Sequence, residues 1–251
     1  KIKQDGRYER FQAKWFGAEA AAAAPPPNTG SALTFKPALV AKVWPIFLQG
    51  LQLTVTLAAA GLVFGLPLGL LLALARLSPF KPVAAFAVVY VELFRGTPLL
   101  VQIFFLYFVL PAFGVSMPEL LTAILALSLN AAAYIAEIFR SAIQSVPRGQ
   151  MEAARSLGMT YPQAMREVVL PQATVRAIPP LTNEGVALLK DSSLVSIMGM
   201  TELTRTGQEL SSRYADPVTV WLTVAVLYLL LTIPLTQVAA YMEKRLVRGA
   251  H

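Results

Sequence analysis

The long uncharged stretch near the start of the chain constrains its fold more than any other feature. No charged residue lies between Lys42 and Arg76. A helix of about 20 apolar residues crosses the hydrocarbon core of a bilayer, so this stretch is long enough to span a membrane. Of the 251 residues, 56% are hydrophobic and 14% are charged, whereas a soluble domain carries about 25% charged residues. The composition therefore excludes an ordinary soluble domain and a disordered chain.

Hydropathy predicts an all-α membrane protein with about five transmembrane helices. The predicted segments are residues 43–77, 82–111, 120–139, 171–200 and 217–242. The fourth of them is the most polar. Residues 18–42 are rich in Ala and Pro and contain three consecutive prolines, which cannot continue a helix. We therefore interpret 18–42 as a linker and 43–251 as one membrane domain.

The distribution of basic residues predicts how these segments are oriented. Arg and Lys follow the first, third and fifth predicted segments, whereas the loop at 112–118 contains neither. Basic loops stay on the cytoplasmic side of a membrane. The sequence therefore predicts a multi-pass protein with its N-terminus outside and its C-terminus in the cytoplasm. Because this topology accounts for the net charge of +7, we expect no nucleic-acid partner.

The sequence lacks the residues that most catalytic sites need. It contains no GxxxxGK[ST] phosphate-binding loop and no HExxH motif. It contains no Cys, and its one His is the last residue, His251, so no Ser-His-Asp triad can form. We therefore expect this chain to be no enzyme, and to bind no metal and no cofactor of its own.

Ionisable residues inside the predicted segments are candidates for function, because each is costly in lipid and should face a partner or a water-filled cavity. They are Glu92, Arg95, Glu137, Glu184, Lys190 and Asp191. Glu92 and Arg95, three residues apart, are expected to form a structural pair on one helix face; a polar pathway through the membrane is the alternative. Residues 183–193 combine small hydroxyls with mixed charges, which suits a discontinuous helix lining a binding site.

The basic loop after the third segment contains a first short helix. Ser145 is expected to cap this helix, and Pro147 to occupy its first turn. An apolar stripe at helical spacing consists of Met151, Ala154 and Leu157. Gly158 is expected to end the helix by adopting a positive φ.

A second short helix follows in the same loop. Residues 160–163, Thr-Tyr-Pro-Gln, match a capping box, and the helix is expected to end at Leu170 and Pro171. One interpretation is that both helices lie flat on the membrane surface. The loop offers few apolar residues to bury in lipid, so we favour docking into a groove on a partner protein.

Four stretches of the chain resemble motifs of one transporter family. EAARSLGMTYPQAMREVVLP, from Glu152 to Pro171, resembles the EAA loop of bacterial ABC importer permeases. ELFRGTPLL from Glu92, NAAAYIAEIFRSAI from Asn130 and PPLTNEGVALLKDSSL from Pro179 are similar to motifs of the polar amino acid branch, the histidine/glutamine permease type. The resemblance extends over about residues 43–248.

The resemblance implies a transmembrane permease subunit of an ATP-driven importer of polar amino acids in the bacterial inner membrane. Two permease chains would lie side by side, and a cytoplasmic ABC ATPase subunit would bind ATP and Mg. The residues implied to couple to the ATPase are Glu152, Ala153, Ala154, Gly158, Leu170 and Pro171. We expect the substrate pathway to include Asn130, Tyr134, Glu137, Asn183, Glu184, Lys190, Asp191, Ser192 and Ser193.

Two roles within that pathway stay open at the level of sequence. Glu137 could hold an α-ammonium group and Lys190 an α-carboxylate, or either could belong to a structural pair. Acidic residues outnumber basic ones inside the segments, which on charge alone favours a cationic amino acid. The alternative function is an ion-coupled amino acid carrier or channel not driven by ATP, which would need no docking loop.

Residues 1–17 differ from the membrane domain. Their sequence, KIKQDGRYERFQAKWFG, is similar to the C-terminal end of amino acid solute-binding proteins. This similarity implies an extracytoplasmic binding domain fused upstream of the linker, and such a fusion favours a homodimer of permeases. A free N-terminal tail of the permease is the alternative.

Overall fold

The structure is a computed structural model that describes residues 34–248. Every regular element within those residues is helical, which confirms the predicted all-α fold. The helices are α1 (Pro37–Arg76), α2 (Lys81–Gly96), α3 (Leu99–Ala112), α4 (Glu119–Gln144), α5 (Arg148–Ser156), α6 (Tyr161–Ala164), α7 (Leu170–Asp191), α8 (Leu203–Tyr214) and α9 (Pro217–Arg248). The predicted binding-domain fragment at 1–17 lies outside the described residues. The unit described below begins at Pro37.

Helices α1 and α4 form the main packing contact of this unit. Gly61, Gly65 and Gly69 recur every four residues along α1, so they lie on one face of it. A Cβ atom at Gly69 would lie 2.6 Å from Cγ2 of Ile135 on α4. The absence of side chains on this face lets the two backbones approach closely, as in many helix pairs within membranes. We call this contact the α1–α4 seam.

Helix α1 begins earlier than the sequence indicated. The linker was expected to extend to residue 42, but the helix starts at Pro37. Proline is well tolerated in the first turn of a helix, where its missing N–H would have no partner anyway. Val43 and Phe47 are both buried, so the first turns of α1 already contribute to a core.

The second predicted segment is not one straight helix. Helices α2 and α3 meet at an angle of 104° around Thr97 and Pro98. Thr97 is extended, with φ −116° and ψ 142°, because a residue before proline is kept out of the helical region. The side chain of Gln102 closes the break: its Nε2 donates to the carbonyl oxygens of Phe94 at 2.8 Å and Thr97 at 3.1 Å. These bonds satisfy acceptors that the end of α2 would otherwise leave free.

Two π-helical turns each precede a Leu-Pro pair. Residues Phe105–Val109 form one inside α3, ahead of Pro111, and residues Met165–Val169 form the other, which joins α6 to α7 ahead of Pro171. The proline ring would clash with a carbonyl four residues back in an α-helix, and a wider turn relieves that clash. The chain therefore continues as a helix through Leu170 and Pro171, and the expected helix end there is wrong.

Fewer helices than the five predicted segments are, by length and hydropathy, candidates for a membrane crossing. Within residues 34–248, α1, α4 and α9 are long and apolar enough to cross a membrane, and the bent pair of α2 and α3 could make a fourth crossing. The predicted crossing at 171–200 corresponds to α7 and the 3-10 turn Ser192–Met198 that follows it. Proline and charged residues lower the hydropathy of α7, and its crossing stays a prediction.

A buried acid fixes α8 against α1 and α9. Glu202 is fully buried and caps α8, since its carboxylate accepts the backbone N–H groups of Thr204 at 2.8 Å and Arg205 at 2.7 Å. The hydroxyls of Thr54 on α1 and Tyr228 on α9 donate to the same carboxylate at 3.4 and 3.2 Å. Burial raises the pKa of the Glu202 carboxyl above its ordinary value, against the opposing effect of these donors.

Candidate functional site

Three arginines surround the carboxylate of Glu137 on α4. Arg140, one turn further along α4, places its Nε 3.1 Å from both carboxylate oxygens and also contacts Oε1 through Nη2. Arg76, at the end of α1, places Nη1 2.6 Å from Oε2. Arg95, at the end of α2, is the most distant, with 3.8 Å between its Nη1 and Oε2. The ends of three helices therefore meet at one charge.

Arg95 is paired differently from the sequence expectation. It lies beside Glu137 rather than Glu92, and its guanidinium stands 5.4 Å from the centre of the Tyr134 ring. Glu92 is exposed on the surface of the chain. A pair three residues apart on one helix is worth only about 0.2–0.5 kcal/mol, so a carboxylate from another helix competes easily. Arg95 lies in the last turn of α2, where the partial negative charge at the C-terminal end of the helix stabilises a cation.

A polar cleft opens beside this cluster, between the end of α2, α4 and α7. It has two lobes. The smaller, of about 460 Å³, is lined by Glu137, Ser141, Ser145 and Arg176 together with apolar side chains. The larger, of about 600 Å³, is lined by Thr97, Asn130 and Asp191 among others. Arg95, Tyr134 and Glu184 line both lobes and therefore stand where the lobes join.

The cleft contains five of the nine predicted pathway residues. They are Asn130, Tyr134, Glu137, Glu184 and Asp191. Asn183 and Lys190 are exposed and line neither lobe. Ser192 is fully buried, and its hydroxyl donates to the carbonyl oxygen of Leu189 at 2.8 Å. Ser193 likewise lines neither lobe.

The structure also changes what Glu137 and Asn130 can do. Glu137 already has three arginine partners, so it is poorly placed to hold an α-ammonium group as well. Asn130 is nearly buried, and its Nδ2 donates to Oε1 of Gln102 at 3.0 Å. Asn130 thus supports the break between α2 and α3 from the α4 side.

Sequence reasoning preferred a structural pair for Arg95 and kept the polar pathway as the alternative, whereas the structure places Arg95 at the cleft. The signal was present in the order Arg95-Gly96-Thr97-Pro98: a charge followed at once by a glycine and a helix-breaking proline. A helix that stops inside the protein leaves its last side chain at an open end, where it can reach a cavity. Arg76 carried no comparable signal, because its partner Glu137 lies 61 residues away. Arg140 lies three residues after Glu137, a spacing at which helix side chains meet, and sequence reasoning missed that pair.

The short helix α5 ends as the sequence predicted. Gly158 has a φ of +87°. Its N–H donates to the carbonyl oxygen of Arg155 at 3.0 Å, and the N–H of Met159 donates to that of Ala154 at 3.2 Å, which together form a Schellman motif. The capping box is confirmed as well: the Thr160 side chain accepts from the backbone N–H of Gln163, whose side chain accepts from that of Thr160.

The start and the apolar stripe of α5 differ from expectation. Pro147 is the cap residue, whereas Ser145 ends α4 and donates its hydroxyl to the carbonyl oxygen of Ala142 at 2.7 Å. Ala154 packs inward and is buried. Leu157 is 82% exposed, because the backbone has left helical geometry there and turns its side chain away from the stripe.

The outer side of α5 is therefore free for a partner. Glu152 and Ala153 are exposed together with Leu157. A helix with so few apolar residues has little to bury in lipid, so docking on a partner protein stays the preferred interpretation of this surface.

Known proteins with similar sequences are membrane permeases. The family described as "Binding-protein-dependent transport system inner membrane component" matches residues 65–248. The L-cystine transport system permease protein TcyB of Bacillus subtilis is 41% identical over 206 residues, which are 82% of this chain and 88% of that protein. The glutamine transport system permease protein GlnP of Escherichia coli is 37% identical over 209 residues, which are 81% of this chain and 95% of that protein.

Solved structures agree with the sequence relatives. A crystal structure of an amino acid ABC transporter with histidines superposes with a TM-score of 0.80 at 38% identity, covering 84% of this chain and 99% of that one. An inward-facing MetNI methionine ABC transporter superposes with a TM-score of 0.60 at 27% identity, covering 87% of this chain and all of that one.

Proposed function

This chain belongs to the family of inner-membrane components of binding-protein-dependent transport systems, and we propose that it forms the pathway by which an ATP-driven importer moves polar amino acids. Its relatives are permeases of amino acid ABC transporters, so it is an ABC importer permease of the inner membrane. Permeases of this family are not enzymes themselves. ATP and Mg would be bound by the partner ATPase.

The polar cleft carries the pathway part of the proposal. In a chain whose longest helices are largely apolar, Arg95, Glu184 and Asp191 line one cavity of about 600 Å³. Ionisable groups at membrane depth are retained where they face a water-filled cavity or a solute. By contrast, the groove between α1, α7 and α9 is almost entirely apolar and offers little to a charged solute.

The exposed face of α5 supports coupling to an ATPase. Of the residues assigned to coupling, Glu152, Ala153 and Gly158 are exposed, whereas Ala154 packs inward. Leu170 and Pro171 start α7 instead of ending the loop, so they would connect the docked element to the cleft. An ion-coupled carrier or channel would have no use for such a surface, which is why we favour the importer.

The test is reconstitution of the chain with its ABC ATPase and an amino acid binding protein in proteoliposomes. We expect uptake of radiolabelled L-cystine, L-glutamine or L-arginine that requires ATP on the ATPase side and stops when a non-hydrolysable analogue replaces it. Uptake driven by an ion gradient in the absence of ATP would instead establish the carrier.

The resemblance of residues 1–17 leads to a further part of the proposal, a binding domain fused upstream. A fused binding domain would favour two identical permease chains, each bringing its own domain. The test is the encoding gene: we expect the reading frame to continue upstream of Lys1 into an amino acid binding domain. A start codon directly ahead of Lys1 would contradict the fusion.

A further inference from the structure

The three arginines at Glu137 are not equivalent. Arg140 contacts both carboxylate oxygens and Arg76 lies 2.6 Å from one of them, whereas Arg95 lies 3.8 Å away. Arg76 and Arg140 therefore make the close contacts to Glu137, and Arg95 makes the weakest one. If Arg95 moved away, Glu137 would keep its two strong partners, so losing this contact would cost little.

Arg95 is also the arginine of this cluster that the cleft can reach. Its side chain is 39% exposed, against 14% for Arg76 and 27% for Arg140. It lines both lobes, and among the described residues it is the one cationic residue that lines the larger lobe. The Tyr134 ring, whose centre lies 5.4 Å from the guanidinium, can stack on it without using any of its N–H donors.

A guanidinium with one weak partner is suited to exchange that partner for a carboxylate. Its planar fork of N–H donors can form two parallel hydrogen bonds to one carboxylate. The single contact with Glu137 at 3.8 Å does not use this capacity. Every free amino acid carries an α-carboxylate. In the same lobe, Glu184 and Asp191 on α7 supply negative charge for an α-ammonium group.

We propose that Arg95 binds the α-carboxylate of the transported amino acid, releasing Glu137 as it does so. This inference rests on the proposed function and assigns the substrate-binding cation to Arg95 in place of Lys190. Glu137 is then a positioning residue: it holds Arg95 where the two lobes join until the substrate arrives, and its pair with Arg76 keeps the end of α1 against α4. It does not touch the substrate.

The test measures binding of radiolabelled L-glutamine, L-arginine and L-cystine to the permease–ATPase complex in nanodiscs, without free binding protein. Arg95→Gln should weaken binding about tenfold or more, the loss typical of a charge-assisted pair. Arg213→Gln, which removes an exposed charge on α8 away from the cleft, is the control and should bind as the wild type does. Unchanged affinity in Arg95→Gln would overturn the proposal.

The direction in which a second substitution changes substrate affinity distinguishes the release of Glu137 by Arg95 from direct contact of Glu137 with the substrate. Glu137→Gln removes the group that competes for Arg95, so substrate affinity should rise or stay the same. If Glu137 held the α-ammonium group instead, the same substitution would weaken binding about tenfold. Such a loss in a properly assembled Glu137→Gln complex would overturn the positioning role.

A binding competition between amino acids and their α-carboxamides tests the proposal even if the Glu137→Gln complex does not assemble. The wild type should prefer L-arginine to L-argininamide, and L-glutamine to its α-amide, because only the acids can pair with Arg95. Arg95→Gln should lose that preference, and retention of the full preference would refute the proposal. A wild-type complex that neither binds nor imports any of the three amino acids would refute the proposed function itself.

Discussion

Single residues with unusual backbone or burial carry much of the function proposed for this chain. Gly158 ends α5 with a φ of +87°, and no atom lies within 4 Å of the place where its Cβ would be. A substitution there strains the backbone without a steric clash. Gly114, in the loop between α3 and α4, has the same properties with a φ of +85°.

These two glycines allow a matched test of coupling. A β-branched residue at positive φ is strongly disfavoured, so Gly158→Val should distort the end of α5. We expect substrate-stimulated ATP hydrolysis to fall about tenfold in proteoliposomes, as expected for about 1.4 kcal/mol of lost docking. Gly114→Val imposes the same strain elsewhere and should keep wild-type stimulation. Equal activity of both variants would mean that α5 does not transmit the signal.

The buried Glu202 predicts a stability effect. Glu202→Gln replaces one acceptor oxygen with an amide group that cannot accept a backbone N–H, which should cost about 1–3 kcal/mol. Thermal unfolding in detergent measures this loss as a lower Tm. Glu209→Gln is the control, since its exposed contact with Arg205 at 3.0 Å is worth about 0.3–0.5 kcal/mol.

The stability difference between the wild type and Glu202→Gln should depend on pH. Because burial raises the Glu202 pKa in the folded state, the folded protein binds this proton more tightly than the unfolded chain does. Wild type should therefore gain stability over Glu202→Gln as the pH falls through the folded pKa, with the full gain present below the ordinary value of 4.5. A gain that grows as the pH rises would show that the hydrogen-bond donors outweigh burial.

The sequence predicted residues whose role is local and missed those whose role depends on distant partners. Gly158 and the capping box at Thr160 follow from a few neighbouring residues, and both were confirmed. The surroundings of Glu137 depend on Arg76 and Arg95, which come from other helices. Spacing along the chain therefore favoured Glu92 as the partner of Arg95, because it was the nearest acid.

At the scale of elements, hydropathy located apolar stretches but not their geometry. Residues 82–111 are apolar enough for one crossing, yet Pro98 breaks them into α2 and α3 at 104°. Hydropathy averages over a window and does not register one residue that cannot adopt helical geometry. The start of α1 at Pro37 was placed too late for another reason: Lys42 bounds the uncharged stretch, and hydropathy does not follow a helix past a charged residue.

The α1–α4 seam predicts an unusual response to alanine. In most helices Gly→Ala stabilises by up to about 1 kcal/mol. At Gly69 the new Cβ would lie 2.6 Å from Cγ2 of Ile135 and 2.9 Å from the carbonyl oxygen of Ala132, so we expect destabilisation by about 1–3 kcal/mol. Gly185→Ala on α7 is the control, since its nearest neighbour, Cδ2 of Leu62, lies at an ordinary 3.7 Å. Equal Tm values for the two variants would mean that the seam has room to adjust.

At the scale of the whole molecule, the orientation in the membrane can be tested directly. The chain contains no Cys, so single cysteines report without background. Ser116 and Ser156 are both exposed, in the loop before α4 and at the end of α5. Because basic loops stay in the cytoplasm, an impermeant thiol reagent should label Ser116→Cys in intact cells and Ser156→Cys only after permeabilisation. The reverse pattern would invert the topology.

The α1–α4 seam limits where this protein can change shape. With no side chain between the backbones at Gly65 and Gly69, the two helices cannot rotate or slide past one another without collision. Helix α5 follows α4 after three residues, so we expect any displacement of α5 to move α4 and α1 together as one rigid body. In the proposed importer, a change between outward-open and inward-open states would then bend the chain elsewhere, and it already departs from α-helical geometry at Thr97 and at the π turn before Pro171. Both places adjoin helices that line the cleft.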